Sequence, residues 1–193
     1  MFTDKYMAEV VEIASSISVN KIEDMVQLFQ HTRNKMGRVF VIGLGGSAAN
    51  ASHMANDLQK LCDIQTICPS DNVAMLTATA NDSGLSKIFS QYLAKMRVDE
   101  RDILFVLSVG GGSKARAISL SLIEAIDCAL ARGATIMGIV GRPDGYVVEK
   151  GHCVIVVPAF ESRRVTPHAE EFQAIVWHCL VSHPDLQVNN TTW

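Results

Sequence analysis

His53 and Asp57 lie four residues apart in a stretch with helical spacing, so both project from one face. An imidazole beside a carboxylate is an acid–base pair, half of a metal site, or an ordinary surface pair. Far down the chain, Glu170, Glu171 and His178 fall in a second helical stretch. Glu171 and His178 share a face, whereas Glu170 is offset from His178 by about 80° around the helix. Glu170 also reads as a solvated acidic first turn, and His178, following Val176 and Trp177, as a core histidine.

Two glycine-serine loops supply a second kind of chemistry. Gly43-Leu44-Gly45-Gly46-Ser47 follows the apolar run 38–42, and Ser108-Val109-Gly110-Gly111-Gly112-Ser113 follows the run 102–107. A loop that leaves a strand and opens a helix presents free N–H groups and a partial positive charge to an anion. Glycine permits close approach of the backbone, and serine adds a hydroxyl donor. Two such loops in one domain predict a grip on a phosphorylated small molecule.

The elements that must position these groups alternate. Helical stripes run over 5–17 and from a cap at Asn20 through Phe29. Strands are expected at 38–42, near 73–77, and at 102–107, 135–140 and 153–158. Helices are expected at 46–61, 84–97, 113–132, 144–150 and 167–183. Near-continuous apolar strands alternating with helices predict an α/β three-layer sandwich around a buried parallel sheet. Both loops then lie at the carboxyl ends of strands, where such sheets bind ligands. The expected division is an N-terminal helical segment at 1–36, a sandwich domain at 37–185 and a loose polar tail at 186–193.

The bulk composition agrees with one folded domain. The chain has 193 residues, 48% of them hydrophobic, which suffices for a core. A net charge of −3 without a basic block argues against nucleic acid as a partner. No apolar run approaches the length that spans a membrane. The cysteines at 62, 68, 128, 153 and 179 form no CxxC pair and read as reduced core thiols in a cytoplasmic protein.

Gly43 to Ala48 also fits the dinucleotide pattern G-x-G-x-x-A, with Asp63 twenty residues beyond Gly43. Asp63, however, precedes the apolar run Ile64-Gln65-Thr66-Ile67, and a ribose-binding acid belongs after its strand. Neither loop has the Gly-Lys-Ser/Thr ending of a P-loop.

The first loop with His53 and Asp57, then Asn81-Asp82-Ser83-Gly84, the second loop, and a final helix carrying His178 together resemble the SIS (sugar isomerase) domain. Within it they look most like phosphoheptose isomerases, and the resemblance runs from about residue 7 to 183. It implies a five-stranded flavodoxin-like parallel sheet and N-terminal helices that help build a homotetramer with active sites between subunits. It implies conversion of sedoheptulose 7-phosphate to D-glycero-D-manno-heptose 7-phosphate, a step toward lipopolysaccharide or capsule heptose. Ser47, Ser108 and Ser113, with the backbone of Gly45, Gly46 and Gly110, would hold the phosphate. Asp82 would lie near the sugar hydroxyls, and Glu170 would also touch the substrate. Asp57 would be the base and His178 its acid–base partner. Zinc would fall on His53, Asp57, Glu170 and His178.

The chain departs from that pattern in places. Asp57 stands where the family usually has glutamate, and a base misplaced by about 1 Å can cost around a hundredfold in rate. Glu170 replaces glutamine, Leu44 replaces asparagine, and Val109, Gly110 and Gly112 replace polar residues. Two histidines and two carboxylates suit zinc. Glu170 and His178 are nevertheless about 12 Å apart along a regular helix, which leaves Glu171 as an alternative ligand. The leading expectation is an aldose–ketose isomerase working through an enediol. Its rivals are a non-catalytic sugar-phosphate-binding or partner-binding protein and an isomerase of another phosphosugar.

Overall fold

The computed structural model describes residues 1–191. Two helices, α1 (Phe2–Ser16) and α2 (Val19–Asn34), precede a parallel α/β unit. That unit runs β1 (Val39–Ile42), α3 (Gly46–Cys62), β2 (Thr66–Ile67), α4 (Val73–Ser83), α5 (Ile88–Lys95), β3 (Ile103–Ser108), α6 (Leu120–Leu130), β4 (Thr135–Val140), α7 (Tyr146–Lys150), β5 (Cys153–Val156) and α8 (Val165–Val181). The sheet order is β2-β1-β3-β4-β5, parallel throughout. β1 and β3 are paired from Val39↔Ile103 to Ile42↔Val106, so the two glycine loops leave neighbouring strands.

Alternate strand residues feed two cores. Val39, Val41, Phe105 and Ile139 pack on one face with Phe29 of α2, Met54 and Leu58 of α3, and Phe172 and Trp177 of α8. Phe40, Ile42, Val106 and Ile136 pack on the other with Phe89 of α5, Ile126 of α6 and Val147 of α7. The expected three-layer sandwich with five parallel strands is present.

Several local expectations fail for identifiable reasons. Residues 73–77 are helical, not a strand. Asn72 caps α4 by accepting from Met75 N at 3.0 Å, and the Ala-Met-Leu run that follows favours helix. The edge strand is instead Thr66–Ile67. The helix expected from 113 begins only at Leu120, because Ser113 and Ile118 form an antiparallel bridge and Ala117 and Ser119 take left-handed conformations. The second loop therefore does not sit directly on a helix N-terminus. Ser18, not Asn20, caps α2, accepting from Lys21 N. Residues 186–189 of the tail are docked rather than loose, and its last two residues lie outside the described ones. Leu186 is fully buried, and the N–H groups of Val188 and Asn189 donate to the Leu61 carbonyl.

The cysteines are all unpaired. Cys62, Cys68 and Cys153 are buried, Cys128 is half-buried and Cys179 is exposed, so the expectation of core thiols holds for only part of the set. Burial pushes the Cys62 thiol up to about 11, away from reactivity. No helix among the described residues is long and apolar enough to cross a membrane.

Candidate active site

The first loop delivers α3 with its N-terminus open. Gly45, the residue before the helix, has φ +61°, a conformation that favours glycine. Among the described residues, neither the Gly46 nor the Ser47 N–H has a protein acceptor. Asp63 ends α3 in a left-handed turn and stands at the amino end of β2. That is the wrong end of the strand for a ribose-binding acid, so the dinucleotide reading falls.

About two and three turns along α3, His53 and Asp57 face α8. His53 Nε2 and Asp57 Oδ2 are 3.7 Å apart, and Asp57 Oδ1 accepts from Asn56 Nδ2 at 2.9 Å. From α8, His178 completes the group: one donor atom each from His53, Asp57 and His178 lies within 4.8 Å of the others. Two donors on one tetrahedral zinc at ~2.1 Å stand about 3.4 Å apart, so this spacing suits a shared divalent ion. His178 Nδ1 lies 2.8 Å from the Ala174 carbonyl oxygen. A carbonyl can only accept, so Nδ1 carries the proton and Nε2 keeps its lone pair. The Trp177 indole stacks on His178 and meets His53 edge-on. It is fully buried, and its Nε1–H is unpartnered among the described residues.

Glu170 does not join this group. Its carboxylate lies over Gly46, where an added Cβ would meet Oε2 at 2.5 Å. Glycine at 46 is what makes room for it. Within the chain three of the four expected ligands come together, and eight residues of regular helix carry Glu170 back to the first loop. Glu171, the alternative ligand, is engaged elsewhere. It accepts from Tyr6 Oη and lies 3.3 Å from His168 Nδ1, on the side where α1 crosses α8. Glu9 of α1 closes that junction, accepting from Arg164 Nε at 2.7 Å and lying 3.0 Å from His168 Nε2.

The second loop has a different architecture from the first. Ser108 Oγ accepts from Gly111 N at 3.0 Å, and Ser113 Oγ accepts from Arg116 N and Nε. The carbonyls of Gly111 and Gly112 accept from Val147 N and Tyr146 N, which anchors the loop to α7. Among the described residues, the Gly110 and Gly112 N–H groups have no protein acceptor, so the donors lost with the polar residues are partly replaced by backbone. A cleft of about 310 Å³ opens between Leu44 of the first loop and Ala117, Ser119 and Leu120 beyond the second. Leu85 and Ser86 line its far wall, three residues after Asp82, which is exposed at the end of α4 and accepts from Asn81 Nδ2. A larger cavity of about 640 Å³, with Asn56, Gln59 and Asn72, lies beside β2 and includes neither loop nor histidine.

Sequence reasoning missed Gln173. This α8 residue is fully buried and donates from Nε2 to Ser47 Oγ at 3.0 Å. Its Oε1 accepts from Asn50 Nδ2, and Asn50 also donates to the Glu170 carbonyl. A glutamine on the apolar face of α8, between Phe172 and Val176, was the available signal.

Comparison with known proteins identifies the family and the fold. The SIS domain family matches residues 5–141. The chain is 30% identical over 149 residues to a protein named phosphoheptose isomerase in Rhodospirillum rubrum, covering 75% of this chain and 73% of that one. It is also 30% identical over 164 residues to the lincomycin biosynthesis protein LmbN of Streptomyces lincolnensis, covering 81% of this chain but only 59% of that protein. The structure of phosphoheptose isomerase from Neisseria gonorrhoeae superposes with a TM-score of 0.78 at 23% identity, covering 93% of this chain and 95% of that one. A parallel sheet in the order β2-β1-β3-β4-β5, a serine-ended glycine loop opening α3, and a family match across most of its length place this chain in the SIS domain family.

Proposed function

We propose that this protein is an aldose–ketose isomerase of a phosphorylated sugar, interconverting sedoheptulose 7-phosphate and D-glycero-D-manno-heptose 7-phosphate. The observation that carries the reading is the convergence of His178 from α8 with His53 and Asp57 on the helix that the first loop opens. Relatives named phosphoheptose isomerase support the substrate class.

The roles follow from which groups are free. Ser47, with the N–H groups of Gly46, Gly110 and Gly112, binds substrate oxygens, and Ser108 and Ser113 complete the grip on the phosphate. Gly45 shapes the first loop, and Asp82 reaches the sugar hydroxyls from the cleft wall. Asp57 takes the proton from C1 of the ketose and returns it at C2. His178, with its Nδ1 proton fixed by Ala174, has Nε2 as its single free lone pair, which moves a proton between the two oxygens when no metal claims it. Zinc held by His53, Asp57 and His178 would supply a Lewis acid that polarises the carbonyl. Glu170, placed over Gly46, is then a substrate contact rather than a ligand. If the metal claims Asp57, Glu170 is the carboxylate left to act as base.

Residues 1–36 serve as the oligomerisation segment of a homotetramer ahead of a domain at 37–185. Exposed Phe2, Met7 and Val11 on α1 and Ile175 on α8 suit such an interface. A cytoplasmic location fits the unpaired cysteines.

The test is a proton NMR time course with sedoheptulose 7-phosphate, repeated after chelation and zinc add-back. Product that vanishes on chelation and returns with zinc is the expected result. Binding without conversion by zinc-loaded protein would assign the non-catalytic reading instead.

A further inference from the structure

Two buried polar side chains, Ser47 and Gln173, and the half-buried Asn50 connect α8 to the first loop, and their chemistry fixes the direction of each hydrogen bond. Asn50 Nδ2 stands 2.9 Å from the main-chain carbonyl of Glu170. A carbonyl only accepts, so the Asn50 amide must present its NH₂ there. The same NH₂ lies 3.0 Å from Gln173, which must therefore turn its Oε1 toward Asn50. That leaves the Gln173 NH₂ for Ser47, 3.0 Å away, and Ser47 Oγ accepts. Ser47 is 2% exposed and Gln173 fully buried, so water does not compete for the contact between them.

A serine hydroxyl has one proton to give. With its oxygen already accepting from Gln173, and with no protein acceptor for its proton among the described residues, Ser47 is left as a donor to whatever enters the first loop. We infer that Gln173 is a positioning residue that holds Ser47 as a hydrogen-bond donor to the substrate. The inference rests on the reading above that Ser47 contacts a substrate oxygen. It adds that the donor's direction is set from α8, the helix that also carries Glu170 and His178, so that the loop and the histidine are held by one element.

Gln173→Glu tests this directly. The substituted side chain keeps its shape and can still accept from Asn50, but its second oxygen now takes the Ser47 proton and the donor is lost. Gln173→Met removes the polar contacts without adding a buried charge, which keeps the test sound if the glutamate variant folds poorly. Each variant is measured for KM and kcat with sedoheptulose 7-phosphate, and for Kd with inorganic phosphate by phosphorus NMR titration. Because the lost bond is made to a charged ligand, KM or Kd should rise about tenfold or more in Gln173→Glu, with kcat within about twofold. In Ser47→Ala the same loss should appear, and adding Gln173→Glu to it should cost nothing further. Unchanged KM and Kd in both Gln173 variants, or losses that multiply in the double variant, overturn the inference while leaving the isomerase reading intact. A wild-type protein that neither turns over the sugar nor binds phosphate overturns both.

Discussion

The Trp177 indole lies face to face with the His178 imidazole, 3.5 Å between ring centroids, and the same indole meets His53 edge-on at 4.6 Å. One buried aromatic thus holds both histidines of the candidate metal group from beneath. Trp177→Ala should lower stability by about 3–5 kcal/mol, as expected for deleting a buried indole. It should also weaken zinc binding about 10–100-fold, the usual cost of losing a group that orients ligands. Urea denaturation and competitive zinc titration measure the two effects separately.

Asp57 is the next point of test. Asp57→Asn keeps the shape and the contact with Asn56 but removes the base, and turnover should fall by about 10²–10⁴. Asp57→Glu restores the longer carboxylate that the resemblance leads one to expect and should retain measurable activity. An active Asp57→Asn protein would transfer the role of base to another carboxylate.

Glu170 should behave unlike a ligand. Its carboxylate covers Gly46, at the helix end where a phosphorylated substrate is proposed to bind, so two like charges are brought together there. Glu170→Gln should tighten phosphate binding by a few-fold, since a helix-end charge contributes roughly 0.3–1 kcal/mol. Zinc affinity should be unchanged. A large loss of zinc in this variant would return Glu170 to the metal group.

The junction of α1 with α8 should respond to acid. The Arg164 guanidinium, and after it His168, hold the Glu9 carboxyl down at about 2, from an ordinary value of 4.5. A depressed carboxyl stabilises the folded form above its unfolded value and loses that contribution as pH falls toward the folded one. The contact should therefore be intact above pH 4.5 and fade between there and about 2. Amide exchange in α1 followed against pH should show this, and in Glu9→Gln the dependence should be lost.

How far the sequence alone carried the molecule depends on the range of the contacts involved. The strands at 38–42 and 102–107 and the helix after the first loop were legible because apolar periodicity is local. Residues 73–77 were not, since a short apolar run fits strand or helix and only the Asn72 cap decides. His53, Asp57 and His178 were legible as types at a spacing, but their convergence is a tertiary fact. Glu170 was legible as a type, but position along α8 decides which end of the site it reaches, and in this chain it stands over Gly46. Gln173 stood out only as a polar residue on an apolar face, because its partners, Ser47 and Asn50, lie far away in the chain.

The candidate metal group has a consequence for how the protein comes into being. His53 and Asp57 lie on α3, and their third partner arrives only with α8, more than half the chain later. During synthesis the N-terminal portion emerges first, so the ion cannot find its full set of donors until the final helix has docked. Tight zinc uptake would then be a reporter of completed assembly, silent on every nascent or truncated form that lacks α8.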